Sequence, residues 1–335
     1  MHILVFAFLL LYRSLVCWPH DPETAPPTTA GIIFKSADGG QTWQDVSAGL
    51  PADFQVGCAL VGDNEVFLGS ASGLFRSTIP PTARTWEKEF LPNERITNLF
   101  PGRSGPYVCC YGSGFFQIVP GRGIWKSMHD ALPDKTVRTV LETPNGTVYV
   151  GCDSGIYRSN DSGKTWKQVF SKGMVTSLVA AGNVLVGGGS GGALRSTDGG
   201  EHWNWVLTED GPMRKTGRID GRFVAISNNN GQADAAGSGA VLNRLRMSAD
   251  NGKTWQRMNV PLGFTFDNAE LSPVRAIYDL QQAGKYLFCS CNAGIFRSSD
   301  QGKNWEMVRP ATRGNLFELA VSGQVVYAIR AFDGC

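Results

Sequence analysis

The sequence predicts an all-β fold: a seven-bladed β-propeller of four-stranded blades, closed by one blade that the two ends of the chain share. Three observations predict it. Seven tryptophans, Trp43, Trp86, Trp125, Trp166, Trp203, Trp255 and Trp305, recur at intervals of 37 to 52 residues, a period that belongs to radial and solenoid arrays. Five of them close the same octet, at 36–43, 159–166, 196–203, 248–255 and 298–305. The chain ends are also complementary. The first octet has no strand pair before it, and the 30 residues after Trp305 hold a strand pair with no octet behind it.

Each element has a local reason. A short apolar, aromatic-rich run precedes the octet, as in 31–36 (GIIFKS), 73–77 (GLFRS), 155–159 (GIYRS) and 294–298 (GIFRS), and such runs read as strands. A polar turn follows. Its aspartate (Asp38, Asp161, Asp198, Asp250 or Asp300) is expected to accept hydrogen bonds from backbone N–H groups two or three residues on. Its glycine (Gly40, Gly163, Gly200, Gly252 or Gly302) is free to take a positive φ. The tryptophan opens the next strand and is expected to bury its ring between neighbouring units. Two more strands lie upstream in each unit, 137–141 and 147–150 before Ser159, and 274–278 and 285–288 before Ser298. That makes four strands per blade. The C-terminal pair, 316–321 and 324–329, supplies the inner half of a blade whose outer half is 31–43, so the closed ring has no free sheet edge.

The octet resembles the Asp-box, or BNR repeat, of sialidases, sortilin-type receptors, xyloglucanase-type glycoside hydrolases and the photosystem II assembly-factor family. The resemblance covers 31–335. Two units are degenerate: Ser77 to Trp86 carries Pro80-Pro81 in place of Asp-x-Gly, and Pro120 stands where the aspartate before Trp125 would be. The resemblance implies that the boxes are structural and lie away from the functional face. The box residues Asp38, Trp43, Asp161, Trp166, Asp198, Trp203, Asp250, Trp255, Asp300 and Trp305 are therefore read as framework. A calcium loop needs several oxygen ligands at alternating positions, and each octet offers one carboxylate.

Composition places the chain among compact globular domains. Charged residues are 18%, glycines number 41 and the net charge is +2, which gives no drive toward nucleic acid or anionic membranes. Residues 1–17, with an apolar run at 3–12 ending at Arg13, read as a signal peptide, and proline-rich 18–30 as a disordered spacer before the propeller at 31–335. The mature chain is expected to be exported (periplasmic, cell-surface or secreted), without a membrane span, and monomeric. The eight cysteines (Cys17, Cys58, Cys109, Cys110, Cys152, Cys289, Cys291 and Cys335) form no disulfide framework and read as buried small residues. With four histidines, His2, His20, His129 and His202, no zinc constellation is visible. No metal and no cofactor is expected.

A sialidase-like site would need an arginine triad, a tyrosine backed by glutamate and an acid/base aspartate. The run Phe75 to Pro80 is a poor echo of the motif that accompanies it, and Phe75-Arg76 repeats as Phe296-Arg297. No catalytic residue is assigned. One constellation stands out. Arg95, Arg138, Arg218 and Arg275 are read as starting the innermost strand of their blades, with Arg313 just before the last. Guanidiniums ringing the channel on the face opposite the boxes would suit a carboxylate or phosphate. The insertion 228–240 is read as a connection on that same face. The alternative for the arginines is solvated side chains, each paired with an acid such as Glu94 or Asp279. The expected function is a non-catalytic scaffold binding a protein segment or acidic glycan there. The alternative is a divergent sialidase-like glycoside hydrolase.

Overall fold

Each repeat folds as an antiparallel meander, because short β-branched and aromatic runs alternate with turns that place glycine where φ is positive. The computed structural model describes residues 31–51, 54–62, 64–78, 86–91, 95–119, 123–208, 211–227, 244–258, 277–311 and 316–331. Among these, every regular element is a strand, and the strands form seven four-stranded sheets. Six use consecutive strands and are called blades 1 to 6: 58–89, 98–127, 139–170, 175–208, 213–257 and 277–310. Blade 7 takes its inner pair, Leu316–Ser322 and Val325–Ala331, from the C-terminus. Its outer pair, Ile33–Ser36 and Gln44–Asp45, comes from the N-terminal side. Ile33 pairs with Ile329 and Ser36 with Val326, so the predicted shared blade closes the ring. The pairs predicted upstream of Ser159 are present as Thr139–Glu142 and Val148–Cys152. The leader, the spacer, Pro80-Pro81, Pro120, the insertion 228–240, Cys17, Cys335, His2 and His20 lie outside the described residues.

The meander fixes two faces. In every blade the turn between strands one and two and the turn between strands three and four lie at one end. The latter is the box turn, so this end is the box face. The start of the inner strand and the turn between strands two and three lie at the opposite face.

Inside each intact box the serine hydroxyl donates to the aspartate at 2.8 Å and accepts the glycine N–H at 2.8–2.9 Å. The glycines take φ of +74° to +87°. The aspartate accepts the expected N–H of the third residue on in three boxes, from Glu201, Lys253 and Lys303 at 3.0–3.1 Å, and in all five it reaches one residue further. It accepts the N–H of the fourth residue on, Thr42, Thr165, His202, Thr254 or Asn304, at 2.8–3.1 Å. It also accepts a bond from that residue's side chain. The Thr165 side chain, then its N–H, hold the Asp161 carboxyl down at about 2. The N–H and then the side chain of Asn304 do the same for Asp300. These carboxylates are occupied by their own turns.

The tryptophans join neighbouring blades. Trp305 packs with Ile219 and Leu245 of blade 5 as well as Phe296 of blade 6, and Trp203 packs on Tyr149 and Phe170 of blade 3. These two are buried; Trp43, Trp166 and Trp255 are half-buried. The tryptophans of the degenerate units do the same work: Trp86 lies on the cluster holding Tyr327 and Phe75, and Trp125 on that holding Phe67 and Val108. The six described cysteines are buried, and none is in a disulfide.

A second joint between blades was not legible in the repeat. The residue before the box serine is Arg158 in blade 3, Arg195 in blade 4 and Arg297 in blade 6. Each donates to a backbone carbonyl in the box of the following blade: Gly199 at 3.2 Å, Asn251 at 2.7 Å and Gly39 at 2.5 Å. Arg297 and Arg158 are largely buried in doing so, where a charge-assisted bond contributes about 1.5–3 kcal/mol. At this position blade 2 has Gln117 and blade 5 has Met247.

Candidate functional site

The inner strands set the channel edge, and one register position recurs in all seven. Cys58, Asn98, Thr139, Ser177, Lys215, Asp279 and Glu318 pair with equivalent second-strand residues, from Gly69 in blade 1 to Ile329 in blade 7. Blades 1 to 4 place neutral side chains there. Blades 5, 6 and 7 place a lysine, an aspartate and a glutamate in succession. Lys215 Nζ lies 2.7 Å from Asp279 Oδ1. Asp279 is 1% exposed and also accepts the Leu280 N–H at 2.7 Å and the Leu319 N–H at 3.2 Å. Burial opposes the charge on Lys215, but Asp279 and Glu318 outweigh it and raise its pKa.

Glu318 is the tunable member of this cluster. Burial pushes its carboxyl up to about 7, Lys215 opposes the rise, and Asp279 adds to it. Its folded pKa is therefore above its unfolded value, so the native state holds this proton more firmly. That stabilising contribution is fully present below about pH 4.5 and is lost as pH rises through about 7. Glu318→Gln is expected to leave stability unchanged near pH 4 and to raise it by about 2 kcal/mol at pH 8, after discounting for solvent screening. Urea unfolding across that range measures it; a difference that does not grow with pH would overturn the assignment.

On the face opposite the boxes, Arg138 precedes the inner strand of blade 3. Its Nε bonds Asp153 Oδ1, and its Nη2 donates to Tyr111 Oη at 3.2 Å. Tyr111 donates in turn to Asp153 Oδ2 at 2.7 Å, and the guanidinium lies 4.9 Å from the Tyr111 ring centre. The Tyr111 side belongs to blade 2 and Asp153 to blade 3, so the trio spans two blades. The hydrogen bond from Arg138, working against burial, lowers the Asp153 carboxyl. The bond to Asp153 raises the Tyr111 hydroxyl. Asp134 fixes the adjoining loop through Ser154 N–H at 3.0 Å and Thr136 N–H at 2.8 Å. Tyr111 stays 47% exposed.

The arginine ring read from the sequence is corrected in part. Arg138 and the exposed Arg95 lie on the expected face, but Arg95 is two residues outside the Arg138 position, which blade 2 fills with Thr97: both N–H groups bond the equivalent carbonyl, Cys109 or Gly151. Arg218 does not start its strand. The inner strand of blade 5 runs Met213–Ile219, so Arg218 stands next to the first turn, on the box face, donating to Gly221 O at 3.3 Å. The residue in register with Arg138 there is the exposed Arg214, at the bulge between Met213 and Lys215. Arg275 and Arg313 lie outside the described residues. Asp279 partners Lys215, not an arginine. Among the described residues, no group of three His, Cys, Asp or Glu is placed to hold a metal ion.

Five occupied Asp-box turns on a closed ring of seven four-stranded blades define an Asp-box propeller, and the BNR-Asp box repeat profile matches 295–308. Within that class, the chain belongs to the family described as photosynthesis system II assembly factor YCF48, whose profile matches 27–210, more than half of its length. A curated relative, the photosystem II assembly lipoprotein Ycf48 of Synechococcus sp. (strain CC9902), is 24% identical over 187 residues, 52% of this chain and 55% of the relative; the chain thus matches only about half of that protein. Among solved structures, YCF48 bound to D1 peptide superposes with a TM-score of 0.58 at 19% identity, covering 85% of this chain and 96% of that one. A catalytically inactive virginiamycin B lyase from Staphylococcus aureus with quinupristin has a TM-score of 0.63 at 14% identity, covering 84% and 96%. Likenesses this distant speak to the fold, which an enzyme and an assembly factor here share.

Proposed function

We propose that the chain is a non-catalytic scaffold that binds an acidic protein segment on the face opposite the boxes. The observation that carries this reading is the Arg138–Tyr111–Asp153 trio. Two of its members fix the third, so a guanidinium and an exposed aromatic ring are pre-organised side by side. Arg95 and Arg214 lie on the same face, and a family member has been solved with a bound peptide. A hydrolase reading draws less support. A tyrosine nucleophile needs a basic carboxylate, whereas Asp153 is held down by Arg138. Export of the mature chain belongs to the same proposal, on the apolar run at 3–12 and the lipoprotein relative.

The test is calorimetric titration with an acidic peptide at low and high salt, using wild type and an Arg95→Ala, Arg138→Ala, Arg214→Ala triple variant. Salt-sensitive binding should fall by at least about tenfold in the triple variant, since each charge-assisted bond contributes about 1.5–3 kcal/mol. Binding that survives unchanged, or robust turnover of a glycoside panel lost on Arg138→Ala, would overturn the scaffold.

A further inference from the structure

The arginine joint between blades is missing where blade 5 meets blade 6, and a groove opens there on the box face. Met247 stands in the place of Arg158, Arg195 and Arg297, and it cannot donate to the carbonyl of Gln301, the counterpart of Gly199 and Gly39. The groove encloses about 280 Å³. Buried Ile219 and Leu287, with Met247, make its apolar floor; Arg222, Lys285 and Asp220 stand on its rim with Gln301. Arg222 Nη1 lies 3.6 Å from Met247 Sδ. Asp220 and Gln301 close the rim at φ of +48° and +62°, and the Gln301 value is the ordinary one for its place in the box, shared by Ser162 and Asn251 at +58°. The groove between blades 3 and 4 is the useful contrast. There Tyr149 and Arg158 both donate to Gly199 O, and the lining residues are uncharged.

We propose that this groove is a second binding site, independent of the Arg138 face, for the free C-terminal carboxylate of a polypeptide that ends in an aliphatic residue. The occupant follows from complementarity. The floor is methyl- and thioether-lined, and the groove has room for an aliphatic side chain together with its own carboxylate. The two cations against one carboxylate leave the rim net positive, which selects an anion. The Gln301 carbonyl lacks the guanidinium that Gly199, Asn251 and Gly39 receive, which leaves a rim acceptor for a peptide N–H. Asp220 sets a limit on affinity by repelling the bound carboxylate.

Methyl NMR of the full chain, observing Met247, tests this with an acetylated tripeptide ending in leucine and its C-terminal amide. The free acid should give a saturable shift, and the amide should bind at least tenfold more weakly. Arg222→Gln and Lys285→Gln should weaken the acid, read on neighbouring methyls, while Asp220→Asn should tighten it severalfold. Met247→Arg should seat a guanidinium on the Gln301 carbonyl, keep or raise the melting temperature, and abolish binding. Arg138→Ala should change nothing. Equal binding of acid and amide, insensitivity to Arg222→Gln and Lys285→Gln, or full binding by a folded Met247→Arg variant would overturn the site. Equal affinity for N-acetyl-leucine, with no gain from the longer peptide, would overturn the polypeptide as its occupant.

Discussion

A chain cut before Leu316 is expected to lose its cooperative unfolding transition and to aggregate. The deletion removes the two inner strands of blade 7, including Phe317, Leu319, Val326, Tyr327 and Ile329, all nearly inaccessible to solvent. At about 1.5–3 kcal/mol for each large apolar side chain, the lost burial is on the order of 10 kcal/mol, comparable to the whole stability of an ordinary domain. The cut also leaves Ile33–Ser36 without the strand it pairs with and exposes the inner flanks of blades 1 and 6. Unpaired edges of that kind recruit other chains. Size-exclusion chromatography and urea titration decide the matter. A truncated protein that stays monomeric with an unchanged midpoint would mean that blade 7 does not hold the ring closed.

The second large effect is at the box tryptophans, and it should differ between boxes. Trp305 is 8% exposed, lies in the core between blades 5 and 6, and donates from Nε1 to Gly302 O at 3.0 Å. Trp305→Ala is expected to cost about 3–5 kcal/mol. Trp166 is half-buried against Phe115, with ring centres 5.9 Å apart, and its buried Nε1 has no partner. Trp166→Ala should cost less, about 2 kcal/mol. Replacement by phenylalanine separates the two further. Trp305→Phe loses a hydrogen bond, at about 1 kcal/mol beyond the packing change, whereas Trp166→Phe removes an unsatisfied donor. Equal penalties for the two phenylalanine variants in chemical unfolding would show that the indole bond contributes nothing.

The ring was legible because its signals repeat. A box has a serine, an aspartate, a glycine and a tryptophan at fixed offsets, and each has one local job. Even the degenerate units kept Trp86 and Trp125, and this fixed the blade count at seven. The binding face was less legible because it depends on register, which a repeat does not print. Arg218-Ile219-Asp220 looks like Arg95-Ile96-Thr97, yet a bulge after Met213 and a two-residue turn at Asp220-Gly221 put Arg218 at the far end of its strand. Lys215, Asp279 and Glu318 share one position but no chemistry, so no periodic search finds them. Their common feature, the pairing of each with an equivalent second-strand residue, appears only once the sheets are aligned. The joints made by Arg158, Arg195 and Arg297 were visible as a repeated letter, but their partners lie 41, 56 and 258 residues away.

The shared blade has a consequence for how this molecule can be held. Val325–Ala331 runs away from the boxes, and Ile33–Ser36 runs toward them. Gly31 and Ala331 therefore both lie on the face that carries Arg138, in the blade across the ring from it. An anchor held close to Gly31 or Ala331 would shade that face and turn the boxes outward. Immobilisation by an end tag is expected to suppress capture of an acidic peptide that the same protein binds in free solution, while leaving the groove beside Met247 open. Attachment through a cysteine introduced at exposed Lys164, on a box turn, should present the other side.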